Sequence, residues 1–315
     1  MYKLGIDLGG TNIAVGVVDE KFKIVGKASV KTGLPCSAES IVDKIVLACY
    51  KAVEDAKISF DEVCSIGLGS PGAVNPKTGV IEYASNLKFD HMEMGNILKK
   101  RLGQKVYIEN DANAAAWADF LVSGVDKSAT LIAVTLGTGV GGGIILRGRI
   151  FSGCNFFGGE LGHFTIKHDG LECGCGRKGC WEAYASVTAL IKQTKEKMEQ
   201  CEDSLMWKIC GGDIDYVDGR TAFEAKEKGD KAGSEVVEQY TDYIAIGIVD
   251  IINIFQPDII SIAGGISREG NNLLEPVLRH VEANSPINTK TEIRISTLNN
   301  DAGIIGAANL DLRRL

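Results

Sequence analysis

The stretch Leu4–Thr11 reads LGIDLGGT, a short apolar segment that carries one acid and ends in two glycines. The stretch Ile132–Gly139 reads IAVTLGTG and repeats this pattern 128 residues later, with Leu8 aligned to Leu136. In both places a strand pattern meets a glycine turn, and a second apolar segment follows the turn. The repeat predicts a duplicated α/β fold of two lobes, whose glycine turns point into one ligand-binding cleft.

The rest of the chain fits two such lobes. Further strands are predicted at 13–18, 24–30, 63–68, 105–108, 258–263 and 291–296, and helices at 37–56, 111–121, 181–200, 233–255 and 302–312. We therefore predict a small N-terminal α/β domain at residues 1–117, to which a C-terminal helix at 303–315 returns. A larger α/β domain is predicted at residues 118–302.

Composition excludes several functional classes. The chain has 315 residues, of which 45% are hydrophobic and 24% charged, as in an ordinary globular protein with room for two domains. Its net charge of -7 argues against general nucleic-acid binding. The longest apolar run, residues 131–146, is rich in glycine and shorter than the roughly 20 residues of a membrane span. We expect a cytoplasmic protein with neither a nucleic-acid nor a membrane partner.

His163, Cys173, Cys175 and Cys180 have the spacing of metal ligands, with glycines between the cysteines. Structural zinc takes four nitrogen and sulfur ligands, and glycine allows the tight curl that closely spaced thiolates need. A structural zinc is predicted, and the alternative is three free cysteines in a mobile loop. We expect the remaining cysteines to be small buried hydrophobic residues; these are Cys36, Cys49, Cys64, Cys154, Cys201 and Cys210.

The two glycine turns favour phosphate binding. Backbone N–H groups in such turns can hold phosphate oxygens, and the Asp7 carboxylate before the first turn can hold Mg²⁺. Residues 137–142 also match a dinucleotide-binding fingerprint, but a strand pattern follows them where that fingerprint requires a helix. The dinucleotide interpretation is therefore weak.

Asp111 lies in the segment NDAN, residues 110–113, where a predicted strand meets a predicted helix. It has two interpretations, as a helix cap or as the general base that phosphoryl transfer to an alcohol requires. Glu160 and Glu182 flank the cysteine loop. They could accept hydrogen bonds from sugar hydroxyls or be plain surface acids.

These motifs together resemble the ROK family of sugar kinases and related repressors, above all its glucokinase branch. The similarity covers nearly the whole chain and includes residues 7–11, 69–73, 110–114, 136–143, 159–163, 173–182 and 264–265. It implies an actin-like, ribonuclease-H-like pair of α/β domains that close on ATP and a sugar.

The resemblance also implies roles for individual residues. Asp111 would be the general base for the sugar 6-hydroxyl, and His163 would bind zinc with one ring nitrogen and the sugar with the other. The remaining sugar-binding residues would be Asn110, Glu160 and Glu182, with Gly72, Ser85 and Asn86 lining the pocket. Asp7, Gly9, Gly10, Thr11, Asn12, Thr138 and Gly139 would serve the phosphates, and Gly264 and Gly265 the adenosine.

The expected activity is ATP-dependent phosphorylation of a hexose at the 6-hydroxyl, with glucose as the main candidate and ATP, Mg²⁺ and structural Zn²⁺ as cofactors. A kinase for N-acetylmannosamine or another hexose stays open, and so does a sugar-sensing regulator without catalysis. One branch of the family binds DNA through an N-terminal domain, whereas this chain enters its first strand at Tyr2 and keeps Asp7 and Asp111. We therefore expect a kinase, which the resemblance implies is a homodimer or homotetramer.

Overall fold

The computed structural model describes residues 1–286 and 290–313. The strands are β1 (Tyr2–Leu8), β2 (Asn12–Val18), β3 (Ile24–Lys31), β4 (Val63–Ser70), β5 (Ala73–Asn75), β6 (Val80–Ala84), β7 (Phe89–Met92), β8 (Val106–Asn110), β9 (Leu131–Leu136), β10 (Val140–Leu146), β11 (Arg149–Ile150), β12 (Ile259–Ala263) and β13 (Glu292–Ile295). The α-helices are α1 (Ala38–Asp55), α2 (Met94–Leu102), α3 (Asp111–Val122), α4 (Glu182–Ala185), α5 (Val187–Gln200), α6 (Leu205–Ile209), α7 (Thr221–Glu227), α8 (Lys231–Phe255), α9 (Asn271–Asn284) and α10 (Ala302–Ala308).

Two five-stranded sheets share one strand order. The first is β3-β2-β1-β4-β8, and the second is β11-β10-β9-β12-β13. In the first sheet, β1 pairs antiparallel with β2 and parallel with β4. Each copy of the sequence repeat supplies the central strand of its sheet and the hairpin partner beside it, so the predicted duplicated α/β class is confirmed.

The chain forms two compact units. The first comprises Met1–Ala133, Gly143–Gly159 and Thr297–Leu315, and the second comprises Val134–Gly142 and Glu160–Ser296. The last two residues of the predicted C-terminal helix, 314 and 315, lie outside the described residues.

The first unit forms around β1, which is covered on both faces. Leu4 and Ile6 are fully buried and share a core with the apolar side of α1. On the other face, α10 packs against β1 and β4, where Gly5 and Gly67 replace side chains. A Cβ at either glycine would lie 1.9 Å from a carbonyl oxygen of α10. The C-terminal helix can therefore lie directly on the sheet.

A small antiparallel sheet, β5-β6-β7, follows β4 and was not predicted. Its strands are three to five residues long, which is too short for a clear period-2 pattern. The helix predicted at 181–200 is also wrong as a single element. Ser186 interrupts it in an extended conformation and caps α5, with its hydroxyl accepting the Ala189 N–H at 3.1 Å.

In the second unit, α8 supports the cysteine loop. Trp181 is fully buried beside α8 and donates its indole N–H to the Tyr243 carbonyl at 2.8 Å. Its ring stacks on Phe164, with centroids 5.1 Å apart. The loop is thereby fixed to the longest helix among the described residues. Among the described residues no helix, α8 included, is long and apolar enough to cross a bilayer.

The prediction for the scattered cysteines is partly wrong. Cys49 and Cys210 are buried, and Cys36 and Cys201 are half-buried, but Cys64 and Cys154 are exposed. Cys64 is the second residue of β4 and is exposed, although Ile66 and Leu68 on the same face of the strand are fully buried. An apolar neighbourhood in sequence therefore does not imply burial of every thiol.

Candidate active site and metal centre

The first glycine turn, between β1 and β2, is fixed by hydrogen bonds from the end of β3. Gly9 donates its N–H to the Asn12 carbonyl at 2.9 Å and closes the turn. Thr32, which is fully buried, donates its N–H to the Thr11 carbonyl at 2.8 Å and its hydroxyl to the Gly9 carbonyl at 2.7 Å. Thr32 was not predicted as a site residue. Its position beyond β3 gave no sequence signal, yet it holds the carbonyls of this turn.

Asp7 lies at the end of β1, just before this turn, in an environment that disfavours its charge. Burial and then the negative charge of Asp111 raise the pKa of Asp7 to about 6 from 3.8, while Lys27 lowers it. Carboxyl groups that repel each other in this way are suited to a divalent cation, which would stabilise both ionised forms. The donor set therefore fits the predicted Mg²⁺.

Asn110, and not Asp111, caps helix α3. The Asn110 side-chain oxygen accepts the Asn113 N–H at 3.1 Å, and its amide donates to the Gly72 carbonyl at 3.1 Å. Asp111 is the first residue of α3, and its carboxylate accepts the Ala112 N–H at 2.8 Å. Burial raises the pKa of Asp111, opposed by that hydrogen bond. The Asp111 carboxylate is thus not needed as the cap, which favours a chemical role.

Ser85 and Asn86 lie in a short 3₁₀ turn between β6 and β7, and both are exposed. A Cβ at Gly10 would lie 3.6 Å from the side-chain nitrogen of Asn86. The Asn86 amide therefore lies against the first glycine turn. Within the first unit, the structure brings residues predicted for the phosphates and residues predicted for the sugar close together.

The second unit contains a cluster of four metal-ligand side chains: His163, Cys173, Cys175 and Cys180. One ligand atom from each lies within 4.8 Å of the others. The sulfurs of Cys175 and Cys180 are 3.6 Å apart, and the Cys173 sulfur is 3.8 Å from Nδ1 of His163. Sulfur ligands at about 2.3 Å from a tetrahedral zinc would be about 3.8 Å apart. The four residues therefore fit the predicted zinc, with Nδ1 as the histidine ligand.

The loop around this cluster is held by Arg177. Its guanidinium donates to the His163 carbonyl at 2.9 Å and to the Thr165 hydroxyl at 3.0 Å. The carbonyl of Glu160, three residues earlier, accepts the His163 N–H at 3.1 Å. Glu160 itself is exposed. His163 is thus fixed through its backbone from both sides.

Glu182 connects the cysteine cluster to the second glycine turn. One carboxylate oxygen accepts the Val140 N–H at 3.0 Å, and the other lies 3.5 Å from the Cys173 sulfur. A Cβ at Gly139 would lie 2.3 Å from the first of these oxygens, so only glycine leaves room for this contact. A cavity of about 490 Å³ is lined by Thr138, Cys173 and Glu182. Glu182 is therefore more than a surface acid.

The second glycine turn is fixed in the same manner as the first. Gly137 donates its N–H to the Gly139 carbonyl at 3.0 Å, and its own carbonyl accepts the Val187 N–H at 2.8 Å. The Thr188 hydroxyl donates to the Thr138 carbonyl at 2.8 Å. In both turns, N–H and hydroxyl groups from a segment later in the chain donate hydrogen bonds to the carbonyls of the turn.

A larger cavity, of about 820 Å³, lies beside this second turn. Its lining includes the predicted residues Thr138 and Gly265, while Gly264 precedes Gly265 at the end of β12. The other lining residues are Gly137, Val187, Asp218, Gly219, Arg220, Glu224, Glu227, Lys228, Ile266, Arg268 and Glu269. The segment from Asp218 to Lys228 was not predicted from the sequence. Its only signal was the turn dipeptide Asp218-Gly219 before a helical pattern.

Comparisons with known proteins cover nearly the whole chain. A family model described as the ROK family matches residues 3–314. The chain is similar to the glucokinase of Thermotoga maritima, with 34% identity over 99% of this chain and 98% of that protein. It is 33% identical to the glucokinase of Streptomyces coelicolor, over 98% of this chain and 96% of that protein.

One solved structure to which the chain is similar is a ROK family glucokinase from Streptomyces griseus in complex with glucose and AMPPNP. The identity is 33% and the TM-score 0.81, covering 98% of this chain and 99% of that chain. These similarities confirm the family resemblance and the actin-like α/β fold class predicted from the sequence.

Proposed function

The chain belongs to the ROK family, and we propose that it is an ATP-dependent hexose kinase that phosphorylates the 6-hydroxyl of glucose. The observation that carries the proposal is the Asp111 carboxylate, which is half-buried at the start of α3 and is not needed as its cap. The glucokinases to which the chain is similar support glucose as the acceptor.

Asp111 is the proposed general base. Phosphoryl transfer to an alcohol needs a carboxylate that accepts the hydroxyl proton as the oxygen attacks phosphorus. Burial raises the pKa of Asp111, which makes its carboxylate a better proton acceptor than an exposed aspartate. The hydrogen bond from the Ala112 N–H orients this carboxylate, and the Asn110 cap fixes the helical turn that carries it.

The phosphates of ATP are assigned to the two glycine turns. Gly9, Gly10, Thr11 and Asn12 form the first turn, and Thr138 and Gly139 lie in the second. Mg²⁺ held near Asp7 would neutralise charge on the phosphates when it is bound. Adenosine is assigned to the 820 Å³ cavity, with Gly264 and Gly265 beside it, since a volume of this order suits a nucleoside.

The sugar is assigned to the residues that the family resemblance implies. These are Gly72, Ser85, Asn86, Asn110, Asp111, Glu160, His163 and Glu182. Because Nδ1 of His163 faces the thiols, Nε2 remains for a sugar hydroxyl. Glu182 uses one oxygen on the Val140 N–H, which fixes its carboxylate for the same purpose.

We assign a structural Zn²⁺ to His163, Cys173, Cys175 and Cys180. A bound cation with these ligands would fix the tautomer and the orientation of the His163 ring. Elemental analysis of the purified chain should find one zinc per chain, lost on treatment with a strong chelator. A chain that folds with no metal would contradict this assignment.

An assay of ADP release across a panel of sugars tests the proposed activity. The panel contains glucose, mannose, fructose, allose, N-acetylglucosamine and N-acetylmannosamine, each with ATP and Mg²⁺. The highest kcat/KM is expected for glucose. Turnover of an N-acetylated sugar alone would show that this sugar, and not glucose, is the substrate. Sugar binding in calorimetry without any turnover would favour a sugar-sensing regulator.

We keep three further assignments as proposals. The functional domains are residues 1–117 with 303–315 and residues 118–302, the location is the cytoplasm, and the assembly is a homodimer or homotetramer. Symmetric self-association is common among enzymes of this size. Sedimentation velocity of the purified chain tests the assembly, and a monomer at all concentrations would contradict it.

A further inference from the structure

A buried ion pair lies directly behind the proposed base. The Glu109 carboxylate and the Arg313 guanidinium are 3.3 Å apart, with only 1% and 3% of their side chains exposed. Burying these two charges removes them from water, and the loss of hydration is offset only when further hydrogen bonds satisfy both groups. Glu109 immediately precedes Asn110 and Asp111 in the chain.

Glu109 holds the backbone at the junction of β8 and α3. Its Oε1 accepts the backbone N–H of Asn110 at 3.0 Å and the side-chain amide of Asn113 at 3.3 Å. The Ser152 hydroxyl donates to the same oxygen at 3.4 Å. One carboxylate thereby restrains the last residue of the strand and the first turn of the helix, on both sides of Asp111.

Arg313 links the Glu109 carboxylate to the backbone of two neighbouring segments. Its Nη1 donates to the Ile108 carbonyl at 2.9 Å, and its Nη2 donates to the Pro76 carbonyl at 3.1 Å. Pro76 follows β5, the strand that begins just after Gly72. The Gly72 carbonyl accepts the Asn110 side-chain amide, so Arg313 is linked to Asn110 directly through Glu109 and, along the chain from Pro76, through Gly72.

We propose that Glu109 and Arg313 are positioning residues for Asn110 and Asp111, so that the C-terminal segment is required for turnover without contacting substrate. The inference rests on the proposed function. Misplacement of a catalytic group by about 1 Å can cost about 100-fold in rate, so a firm support behind Asp111 matters. Arg313 reaches this junction from a position 204 residues along the chain from Glu109.

Two double variants separate positioning from folding. In Glu109→Met/Arg313→Met both charges are removed, and in Glu109→Gln/Arg313→Met position 109 keeps an oxygen that accepts the Asn110 N–H. Replacing a buried ion pair by side chains of similar volume is often neutral for stability, so both doubles should fold with similar Tm. We expect kcat of the first double to be at least about tenfold below that of the second, with KM for ATP changed less than about twofold. Equal kcat in the two doubles would overturn the role of Glu109, and a wild-type kcat in Glu109→Gln/Arg313→Met would overturn the role of Arg313.

The matched control is Asp311→Asn. Asp311 accepts from Lys3 at 2.8 Å and anchors the same C-terminal segment to β1, not to β8. This variant should lower Tm and leave kcat unchanged. A loss of kcat as large as in Glu109→Met/Arg313→Met would mean that any loosening of the C-terminus suffices, which would overturn the specific role of the pair.

Hydrogen exchange gives a readout that does not depend on turnover. The backbone amides of Asn110 and Asn113 should exchange at least about tenfold faster in Glu109→Met/Arg313→Met than in wild type. In Asp311→Asn their exchange rates should equal those of wild type. Absence of hexose turnover in the wild type would refute the proposed function alone. Unchanged exchange of both amides in the double variant would refute the positioning role whether or not the enzyme turns over.

Discussion

Replacing Asp7 with asparagine is expected to stabilise the chain at neutral pH and to lower its activity. Burial and the nearby charge of Asp111 raise the pKa of Asp7 to about 6 from 3.8. The folded chain therefore holds this proton more tightly than the unfolded chain does. Stability is unaffected below the unfolded pKa, falls as the pH rises between the two values, and stays reduced above the folded one. The raised pKa of Asp7 therefore lowers the free energy of unfolding by about 1 kcal/mol at pH 4.5 and by about 3 kcal/mol at pH 7.5.

Urea unfolding of wild type and Asp7→Asn at these two pH values measures this difference. Without Mg²⁺ and nucleotide, the variant should be more stable by about 3 kcal/mol at pH 7.5 and by about 1 kcal/mol at pH 4.5. The same variant should lose most of its turnover with Mg²⁺ and ATP, because the carboxylate is assigned to the cation. A variant that is no more stable at pH 7.5, or whose gain does not change with pH, would refute this reasoning.

Three further substitutions test separate parts of the molecule. Asp111→Asn should lower kcat by about 10²–10⁴-fold and leave glucose affinity within about twofold, measured by ADP release and calorimetry; an unchanged kcat would exclude Asp111 as the base. Gly247→Ala would stabilise an isolated helix by about 1 kcal/mol, but the new Cβ would lie 2.1 Å from Trp181. We therefore expect a loss of about 1–3 kcal/mol in thermal unfolding, and a higher Tm would contradict it. Cys175→Ala should lose the zinc and raise KM for the sugar, and normal metal content with normal KM would show that the loop does not depend on this ligand.

The elements nearest the repeat could be predicted from the sequence because their signals are local. Short apolar segments on either side of a glycine turn mark β1 and β2, and the helix predicted at 37–56 is observed at Ala38–Asp55. The metal-ligand cluster was equally visible, since all four residues lie within eighteen positions of each other and glycines separate the sulfurs. Such patterns need no knowledge of the tertiary structure.

Other parts of the candidate site depend on contacts between distant segments. Thr32 holds the first glycine turn from the end of β3, and the segment around Asp218 lines the large cavity without carrying a motif. The Glu109–Arg313 pair joins residues 204 positions apart. Neither composition nor periodicity indicates which buried carboxylate meets which cation. The helix break at Ser186 was missed for another reason, because a serine inside an apolar pattern is also compatible with a continuous helix.

Identification of the phosphorylated position tests the central claim most directly. The chain is incubated with glucose, ATP and Mg²⁺, and the product is examined by ³¹P and ¹³C NMR, with 6-deoxyglucose as the control sugar. We predict a phosphate ester on carbon 6 and no ester with 6-deoxyglucose. Phosphate on another carbon, or glucose recovered unchanged, would contradict the assignment of this chain as a hexose 6-kinase.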